Sequence, residues 1–322
     1  MKKIAVMTSG GDAPGMNAGI RAVTRTALSM GIEVMGIYRG YQGMIEADFI
    51  PLDHFKVSNI IHRGGTFLKT ARSQDFRTVE GRATAAANLK KEGVEGLVVI
   101  GGDGSFRGAA ALHSEHGIKV VGCPGTIDND LFGTDYTIGY DTAVNTAVHA
   151  IDQIRDTADS HNRLFFVEVM GRDAGFIALR TGLASGAESV LVPETTTYID
   201  ELIVHLQKGL KMQKSSAIII VAEGDDEGGA IDVARKVNEK FTGWETKVTV
   251  LGHIQRGGSP TAFDRILASR MGHQAVKSLL AGATDIMIGQ RNNEMVEVPF
   301  GQAVKHHETL NPHLLELVEI LA

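Results

Sequence analysis

Two short glycine-containing segments have the residue types that bind phosphate. Residues 9–12 (SGGD) and 101–105 (GGDGS) each follow an apolar run and precede a helical pattern. At such a position, backbone N–H groups and the helix dipole attract anionic oxygens. Neither segment is a Walker A motif, because no glycine of the chain is followed by lysine. Phosphate binding and ordinary turn formation both stay open on this pattern alone.

Asp103 adds a condition to what the second segment could bind. A carboxylate inside a phosphate cradle repels the ligand unless a cation such as Mg²⁺ lies between them. The segment at 101–105 therefore indicates phosphate together with a cation, if it binds phosphate at all.

A third segment, 124–130 (PGTIDND), carries two carboxylates directly after the predicted strand Lys119 to Gly122. The end of a buried strand in an α/β fold is where a general base that takes a hydroxyl proton would lie. Phosphoryl transfer needs such a base together with cations on the transferred group. Two aspartates in a loop are equally common in a solvated turn, and that alternative also stays open.

Cationic side chains are concentrated in a few segments of a chain whose net charge is −6. Several guanidinium groups beside glycines that end strands fit a phosphorylated small molecule, because arginine presents a fork to phosphate oxygens. A surface salt bridge is the alternative for each of them, and a packed core histidine is the alternative for His253. Arg21 and Arg25 lie four residues apart on the first predicted helix and indicate either an anion site or a solvated face. The other members of this cationic set are Arg155, Arg163, Arg172, Lys247, His253 and Arg256.

Short apolar runs alternate with longer helical patterns along the chain. The strands and helices that these patterns predict must position the glycine segments, the carboxylates and the cations. Continuously apolar strands separated by helices predict parallel strands that are buried on both faces. Helices are predicted at 17–30 and 142–158 from their apolar spacing. The predicted class is α/β, doubly wound, with functional residues at the carboxyl ends of the strands. The predicted strands are Ile4 to Met7, Ile32 to Tyr38, Leu97 to Ile100, Lys119 to Gly122, Leu164 to Met170, Val190 to Val192, Ile218 to Ala222 and Lys247 to Leu251.

The composition excludes several classes of protein. Glycine contributes 38 of 322 residues, about 12% against roughly 7% in average proteins. Hydrophobic residues at 43% and charged residues at 22% describe a globular chain and exclude disorder and collagen. The net charge of −6 disfavours non-specific binding to nucleic acid or to an anionic membrane. The single cysteine, Cys123, predicts a reduced, cytoplasmic compartment and is interpreted as a small buried hydrophobe. No apolar stretch of the sequence approaches the roughly 20 residues of a membrane-spanning helix.

Six motifs, in a fixed order, resemble those of the bacterial ATP-dependent 6-phosphofructokinases, and the resemblance runs from Met1 to about residue 290. Each motif is weak alone, but the six together are specific. They are 8–17 (TSGGDAPGMN), 101–105 (GGDGS), 124–130 (PGTIDND), Met170 to Arg172, Ala222 to Gly224 and 252–260 (GHIQRGGSP). The resemblance implies phosphorylation of fructose 6-phosphate at its 1-hydroxyl by ATP, giving fructose 1,6-bisphosphate and ADP.

The resemblance also implies roles for the matching residues. Asp128 would accept the hydroxyl proton, Arg172 and Thr126 would support the transferred phosphate, and Asp103 and Asp130 would hold Mg²⁺. ATP would contact Gly11, Arg72, Ser73, Gly102, Asp103, Gly104 and Ser105. Fructose 6-phosphate would contact Thr126, Ile127, Asp128, Met170, Gly171, Arg172, Glu223, His253, Ile254, Gln255 and Arg256, with Arg163 and Lys247 reaching in from a neighbouring subunit.

The family's architecture implies a homotetramer whose subunits have two Rossmann-like α/β/α domains with mainly parallel sheets and the active site in the cleft between them. The ATP-binding domain would cover 1–139 and about 257–305, and the sugar-phosphate domain about 140–256 and 306–322. Neither nucleic acid nor a membrane is implied as a partner. An effector site between subunits would use Arg21, Arg25, Arg155, Gly186, Glu188 and Lys214.

The chain departs from the family's common pattern at several positions. Lys247 stands where arginine is usual; it keeps the charge but loses the bidentate fork, so weaker affinity for the sugar phosphate is expected. Ser73 replaces a frequent cysteine, and Asp173 replaces histidine or asparagine. In the effector site, an acidic residue is replaced by Asn59 and basic ones by Met212 and Ser215.

Two glycines bear on the phosphoryl donor. Pyrophosphate-dependent enzymes of the same fold typically have aspartate at the position of Gly104 and lysine at that of Gly125, so the glycines favour ATP. An NAD or lipid kinase is a further alternative, because such enzymes share the GGDG motif, but they require neither the 124–130 nor the 252–258 segment. The last alternative is a sensor that binds a sugar phosphate or a nucleotide without catalysis. The presence of Asp103, Asp128 and Arg172 argues against this alternative.

Overall fold

A computed structural model describes residues 1–305 and 310–322 of the chain. The chain forms two compact units. The first unit comprises Met1–Ile127, Leu131–Thr142 and Arg256–His306, and the second comprises Asp128–Asp130, Ala143–Gln255 and His307–Ala322. The domain boundary expected at residue 306 lies outside the described residues.

Strands and helices are numbered here in chain order within the described residues. The strands are β1 (Lys3–Thr8), β2 (Glu33–Ile37), β3 (Phe49–Leu52), β4 (Gly96–Gly101), β5 (Lys119–Pro124), β6 (Arg163–Val169), β7 (Ser189–Leu191), β8 (Ala217–Ala222), β9 (Glu245–Val250), β10 (Ile286–Arg291) and β11 (Glu294–Pro299). The helices are α1 (Met16–Ser29), α2 (Gly40–Ile45), α3 (Val79–Lys91), α4 (Asp103–His116), α5 (Tyr140–His161), α6 (Phe176–Ser185), α7 (Ile199–Lys211), α8 (Ala230–Asn238), α9 (Ala262–Leu280) and α10 (Pro312–Leu321).

A seven-stranded sheet in the order β11-β10-β5-β4-β1-β2-β3 forms the centre of the first unit. The pairs among β10, β5, β4, β1 and β2 are parallel, whereas β3 and β11 pair antiparallel at the two edges. Ile4 to Met7 of β1 are completely buried, as expected for a parallel strand with both faces covered. Phe106 and Phe300 stack in the core of this unit with their ring centroids 4.9 Å apart.

The second unit contains a four-stranded, all-parallel sheet in the order β7-β8-β6-β9. Its core joins Leu164 and Phe166 of β6 to Leu206 of α7 and to Trp244. Sheets of mainly parallel strands alternating with helices in both units confirm the predicted α/β class.

Three strands were not expected from the sequence: β3, β10 and β11. The sequence signal for a parallel strand buried on both faces is a continuously apolar run. The edge strands β3 and β11 pair antiparallel and carry Pro51 and Glu297, so their sequences do not have that signal. Strand β10 contains Gly289 and Gln290, which interrupt its apolar run.

Cys123 lies in β5 and is buried. Burial raises the pKa of its thiol to about 12, so the sulfur stays protonated and unreactive near neutral pH. The interpretation of Cys123 as a small hydrophobe is confirmed. No helix in the two described ranges is long and apolar enough to span a membrane.

Candidate active site

The two glycine segments lie side by side in the first unit. Strand β1 has β2 on one side and β4 on the other, so the direction of winding reverses between β1 and β4. In doubly wound sheets, ligands bind at the carboxyl ends of the strands at such a reversal. Ser9 follows β1 and donates its backbone N–H to the carbonyl oxygen of Ile100 in β4, at 3.0 Å. The structure thus brings together the two segments that were predicted to bind phosphate.

The glycines of these segments have different local roles. A Cβ atom on Gly101 would lie 2.6 Å from the carbonyl oxygen of Ser9 and 2.5 Å from the Ser105 hydroxyl. Gly101 is therefore required by the packing of the protein itself. A Cβ atom on Gly104 would meet no protein atom within 4 Å. Packing does not require glycine at 104, and the open space lies at the first turn of α4, where the backbone N–H groups of a helix face an anion.

Asp103 occupies the first turn of α4, and its side chain is 9% exposed. Its Oδ2 lies 2.8 Å from the Arg107 guanidinium. Its Oδ1 is buried and has no hydrogen-bond partner among the described residues. A single carboxylate oxygen of this kind fits Mg²⁺, which binds through one or two carboxylates and completes its shell with substrate phosphates and water. Throughout the described ranges, no group of three or more His, Cys, Asp or Glu side chains could cage a metal ion.

Arg256 lies against the first glycine segment. Its Nη1 donates to the carbonyl oxygen of Asp12 at 3.2 Å. A Cβ atom on Gly11 would come within 2.6 Å of the same nitrogen. The absence of a side chain at 11 therefore lets the guanidinium lie directly on the backbone.

Gly125 and Thr126 follow β5 in the first unit. The Gly125 N–H donates to the carbonyl oxygen of Gly101 at 2.9 Å, and the Thr137 hydroxyl donates to that of Thr126 at 2.6 Å. A Cβ atom on Gly125 would lie 3.0 Å from both Ile100 and Met16. A side chain at 125 would therefore press on both neighbours, which would have to shift by a few tenths of an ångström. Packing within this chain thus disfavours a side chain at 125, which weakens the use of this glycine as an indicator of the phosphoryl donor.

Asp128 and Arg172 are neighbours in the second unit. The Asp128 side chain is 4% exposed, and its Oδ2 lies 3.5 Å from Nε of Arg172. The Arg172 side chain is 53% exposed, so its guanidinium has a face open to a ligand. This arrangement combines a buried carboxylate, which could act as a base, with a cation that can meet an anionic group.

The backbone around Arg172 is held in an uncommon conformation. The φ of Arg172 is 55° and that of Gly171 is 149°. A Cβ atom on Gly171 would lie 2.4 Å from the carbonyl oxygen of Ala174. The Arg172 N–H donates to the Glu223 carboxylate at 2.7 Å. Because β6 and β8 are parallel and register Val169 opposite Ala222, this pair extends from two adjacent strand ends.

Two residues expected to contact the sugar phosphate are completely buried. Ile127 and Gln255 are each 0% exposed, so direct contact of either side chain with a substrate is not supported. Gln255 Oε1 instead accepts the backbone N–H of Met170 at 2.9 Å, which gives it a supporting role. His253 and Ile254 are exposed, and the alternative of a packed core histidine at 253 is therefore wrong.

Arg163 and Lys247 lie away from Arg172 within the same chain. Arg163 begins β6, whereas Arg172 follows its end, and the intervening strand spans roughly 20 Å. The Glu245 carboxylate lies 2.8 Å from Arg163 and 2.6 Å from Lys247. Hydrogen bonds from Lys247 and then Arg163 lower the pKa of Glu245 to about 2. Both cations are thus presented together at the opposite part of the sheet.

The residues expected at an effector site fall in both units. In the second unit, Arg155 donates to the carbonyl oxygens of Ser185 and Gly186, and Lys214 lies 2.8 Å from Glu188. His205 was not expected there, yet its Nε2 lies 3.0 Å from the same carboxylate. Arg21 and Arg25 belong to the first unit. Partial burial, and then the charge of Arg25, lower the pKa of Arg21, as expected for two cations on one helix face.

Two residues near the expected nucleotide positions, Tyr41 and Gln42, were not predicted from the sequence, because no motif around them indicates a role in the site. Tyr41 is buried, donates its hydroxyl to the carbonyl oxygen of Ser105 and stacks on Phe76 with centroids 3.9 Å apart. Gln42 accepts the hydroxyl hydrogen of Ser73 at 2.7 Å. Arg72, beside Ser73, is exposed. Tyr41 is 64 residues from Ser105 in the sequence, so only the folded chain reveals the support.

Comparisons with known proteins show the family of the chain. A family model described as Phosphofructokinase matches residues 3–279. The ATP-dependent 6-phosphofructokinase 1 of Thermus thermophilus is 58% identical over 322 residues, with 100% of both chains covered. The structure of phosphofructokinase from Saccharomyces cerevisiae is similar, with a TM-score of 0.89 and 38% sequence identity. The match covers 100% of this chain and 46% of the yeast chain. A pyrophosphate-dependent phosphofructokinase from Marinobacter aquaeolei has a TM-score of 0.85 at 22% identity, covering 97% of this chain and 86% of its own; this last likeness concerns the fold alone.

Proposed function

Because the chain belongs to the phosphofructokinase family, we propose that it transfers the γ-phosphoryl group of ATP to the 1-hydroxyl of fructose 6-phosphate. The products are fructose 1,6-bisphosphate and ADP. The observation that carries this proposal is the pairing of buried Asp128 with the exposed Arg172 at 3.5 Å. Transfer to a hydroxyl needs a base for the leaving proton and a cation for the phosphoryl charge.

The second unit provides most of the residues proposed for the sugar phosphate, and Arg256 comes from the first unit. Asp128 accepts the proton of the 1-hydroxyl as that oxygen attacks the γ-phosphorus in line. Arg172 offsets the charge on the equatorial oxygens. Glu223, which accepts the Arg172 N–H, and Met170 hold the sugar, while Gln255 holds Met170. The 6-phosphate is bound by His253 and Arg256, with Arg163 and Lys247 of a neighbouring subunit.

The first unit provides the nucleotide site, at the reversal of winding between β1 and β4. The phosphates lie on the backbone N–H groups of the two glycine segments, because a helix N-terminus and close-approaching glycines favour anionic oxygens. Support comes from the open space at Gly104. The nucleotide-binding residues are Gly11, Arg72, Ser73, Gly102, Asp103, Gly104 and Ser105.

Mg²⁺ is part of this proposal, and the residues present fit it. Asp103 would hold the ion through the buried Oδ1 that lacks a hydrogen-bond partner within the described ranges, and Asp130, which is 8% exposed, would serve as the second carboxylate. When bound, Mg²⁺ neutralises charge on the donor phosphates. Thr126 orients the transferred phosphate.

The assignment of ATP as donor rests mainly on Gly104. A Cβ atom there would meet no atom of the described residues within 4 Å, so a side chain would not strain the fold. In this proposal it would occupy space that the nucleotide needs. Pyrophosphate is shorter than the triphosphate of ATP and does not need that space. Gly125 adds less to the assignment, since a side chain there would also press on Ile100 and Met16.

The assembly and its surroundings complete the proposal. The enzyme is a cytoplasmic homotetramer, and Arg21, Arg25, Arg155, Gly186, Glu188 and Lys214 form an effector site between subunits. The two domains are 1–139 with about 257–305, and about 140–256 with 306–322. Support for a reduced compartment comes from the single buried Cys123.

A donor screen tests the proposed function. Purified protein is given fructose 6-phosphate and Mg²⁺ with either ATP or pyrophosphate, and fructose 1,6-bisphosphate is measured, with and without ADP and phosphoenolpyruvate. We expect turnover with ATP and at most a trace with pyrophosphate. Faster turnover with pyrophosphate would refute the donor assignment, and no product with either donor would refute the proposed activity.

A further inference from the structure

The first turns of α5 and α9 are joined in the first unit by a buried carboxylate. Asp264, in the first turn of α9, is 0% exposed. One oxygen accepts the Gly139 N–H at 2.9 Å, and the other accepts the Thr142 N–H at 2.8 Å and the Thr142 hydroxyl at 2.5 Å. Gly139 and Thr142 flank the start of α5. A carboxylate from α9 therefore caps the N-terminus of α5, where N–H groups lack partners within the helix.

The connection also runs in the opposite direction. Thr261, which caps α9, donates its backbone N–H to the Thr142 hydroxyl at 3.0 Å. The hydroxyl of Thr261 donates to the Asp141 carboxylate at 2.6 Å and accepts the Asp264 N–H at 3.2 Å. The Thr142 hydroxyl thus donates to one helix and accepts from it. These bonds form a closed network, which fixes geometry more firmly than any single bond.

The residues just before α5 pack on the segment that leads to the proposed base. The Ile138 N–H donates to the carbonyl oxygen of Pro124 at 2.8 Å, and the Thr137 hydroxyl donates to that of Thr126 at 2.6 Å. Gly125 and Ile138 form a parallel bridge. Residues 137–139 are therefore held by Asp264 on one side and hold residues 124–126 on the other. In the sequence, Asp128 is only two residues beyond Thr126.

We infer that Asp264 is a positioning residue for phosphoryl transfer: its carboxylate, through Gly139 and Thr142, fixes Thr137 and Ile138 and thereby the 124–126 backbone that presents Thr126 and leads to Asp128. The inference rests on the proposed function. Asp264 itself is completely buried, and substrate does not touch it. The carboxylate is costly to bury, and its three donors all come from the start of α5 rather than from its own helix.

Kinetics of isosteric variants test this role. Asp264→Asn and Thr142→Val each remove part of the network with little change in shape, whereas Thr142→Ser keeps the hydroxyl. We expect the first two to lower kcat by about 10- to 100-fold, as misplacement of reacting groups does, with KM for ATP and fructose 6-phosphate changed less than about threefold. Thr142→Ser should stay within about twofold of the wild-type kcat.

Ser278→Ala is the matched control. Ser278 is buried near the other end of α9 and donates to Glu297 at 2.5 Å, so this change also removes a buried hydroxyl–carboxylate bond. It should lower the melting temperature but leave kcat unchanged. The positioning role would be overturned if Asp264→Asn lost no more kcat than Ser278→Ala does. It would also be overturned if KM rose in Asp264→Asn while kcat did not fall.

Three further outcomes each bear on the inference. If Asp264→Asn does not fold, the kcat of Thr142→Val is compared with that of Thr142→Ser. Equal kcat values in these two variants would overturn the inference. A wild-type enzyme without activity refutes the proposed function, and the positioning role falls with it. An active wild type with fully active variants refutes the positioning role alone.

Discussion

At the scale of single residues, the proposed chemistry depends on Asp128 and Arg172. Arg172 is held in a left-handed backbone conformation, with a φ of 55°, by the bond from its N–H to Glu223. Non-glycine residues adopt this conformation at a cost, and such residues cluster at functional sites. The exposed guanidinium of Arg172 lies 3.5 Å from the buried Asp128 carboxylate. The two side chains form a base and a cation in one place.

Replacing the base should abolish turnover and leave binding intact. In Asp128→Asn the amide keeps the shape but cannot accept the hydroxyl proton, so we expect kcat to fall by about 10²- to 10⁴-fold. The affinity for fructose 6-phosphate, measured by titration calorimetry, should change by only a few-fold. Asp156→Asn, an exposed carboxylate on α5 of the same unit, is the control and should retain full activity. An active Asp128→Asn enzyme would disprove the assignment of the base.

A side chain at position 104 should impair nucleotide use without unfolding the protein. A Cβ atom there meets nothing within 4 Å, so Gly104→Asp should melt within about 3 °C of the wild type. Its carboxylate would repel the nucleotide phosphates, and we expect kcat/KM for ATP to fall by more than about 10²-fold. Gly301→Asp, at another glycine of the first unit with open surroundings, is the matched control. Unchanged ATP kinetics in Gly104→Asp would exclude the assigned phosphate position.

At the scale of secondary-structure elements, strand ends position the site. Adjacent ends of β1 and β4 bring residues 9–12 beside 101–105, and the register of β6 with β8 sets Arg172 next to Glu223. The same scale explains the buried Asp264, which ties α9 to α5. Burial is the main cause that raises the pKa of Asp264 to about 6, with the charge of Asp141 adding to it, although bonds from Thr142 and Gly139 oppose the rise.

The stability cost of Asp264 should depend on pH. Its folded pKa of about 6 lies above the ordinary value of 3.8, so the folded state binds more protons between these values. The free energy of unfolding contributed by this group therefore falls as pH rises from 4 to 6. At about 1.4 kcal/mol per pKa unit, the loss is at most about 3 kcal/mol. Asp264→Asn lacks this titration.

Chemical unfolding at pH 4.5 and 7 measures the effect at one protein concentration. The stability of the wild type relative to Asp264→Asn should be greater at pH 4.5 than at pH 7. An equal difference at both pH values would mean that Asp264 has an ordinary pKa in the folded protein.

At the scale of the whole molecule, a net charge of −6 leaves anion binding to local clusters. Arg163 and Lys247 share the Glu245 carboxylate, and β6 separates Arg163 from Arg172. Within one chain, these cations therefore cannot meet the same small substrate as Arg172. Their presentation at a separate part of the sheet fits donation to a neighbouring subunit, as expected for the proposed tetramer.

A mixing experiment tests the sharing of active sites. Asp128→Asn and Lys247→Ala should each be nearly inactive alone, because each affects every site of a uniform tetramer. After the two are unfolded together and refolded, about a quarter of the sites in random hybrids would combine an intact base with an intact neighbouring lysine. We expect activity to rise to about that fraction of the wild type. Activity equal to the mean of the separately refolded variants would show that Lys247 acts within its own chain.

The sequence by itself determined the α/β class, the order of the motifs and the types of the residues proposed to react. These are local properties: apolar runs report strands, and glycines and carboxylates at their ends report the chemistry. The sequence did not predict the edge strands β3 and β11, because antiparallel edge strands lack the continuous apolar run of a buried parallel strand.

Only the tertiary structure decided which residues act through others. Gln255 supports Met170, 85 residues away, and Asp264 caps a helix 122 residues away. A Cβ atom on Gly125 would press on Ile100 and Met16, whereas one on Gly104 would meet no atom of the described residues within 4 Å. The physical reason is that burial and hydrogen bonding are set by strand register and helix packing across the chain, which no local pattern of residues encodes.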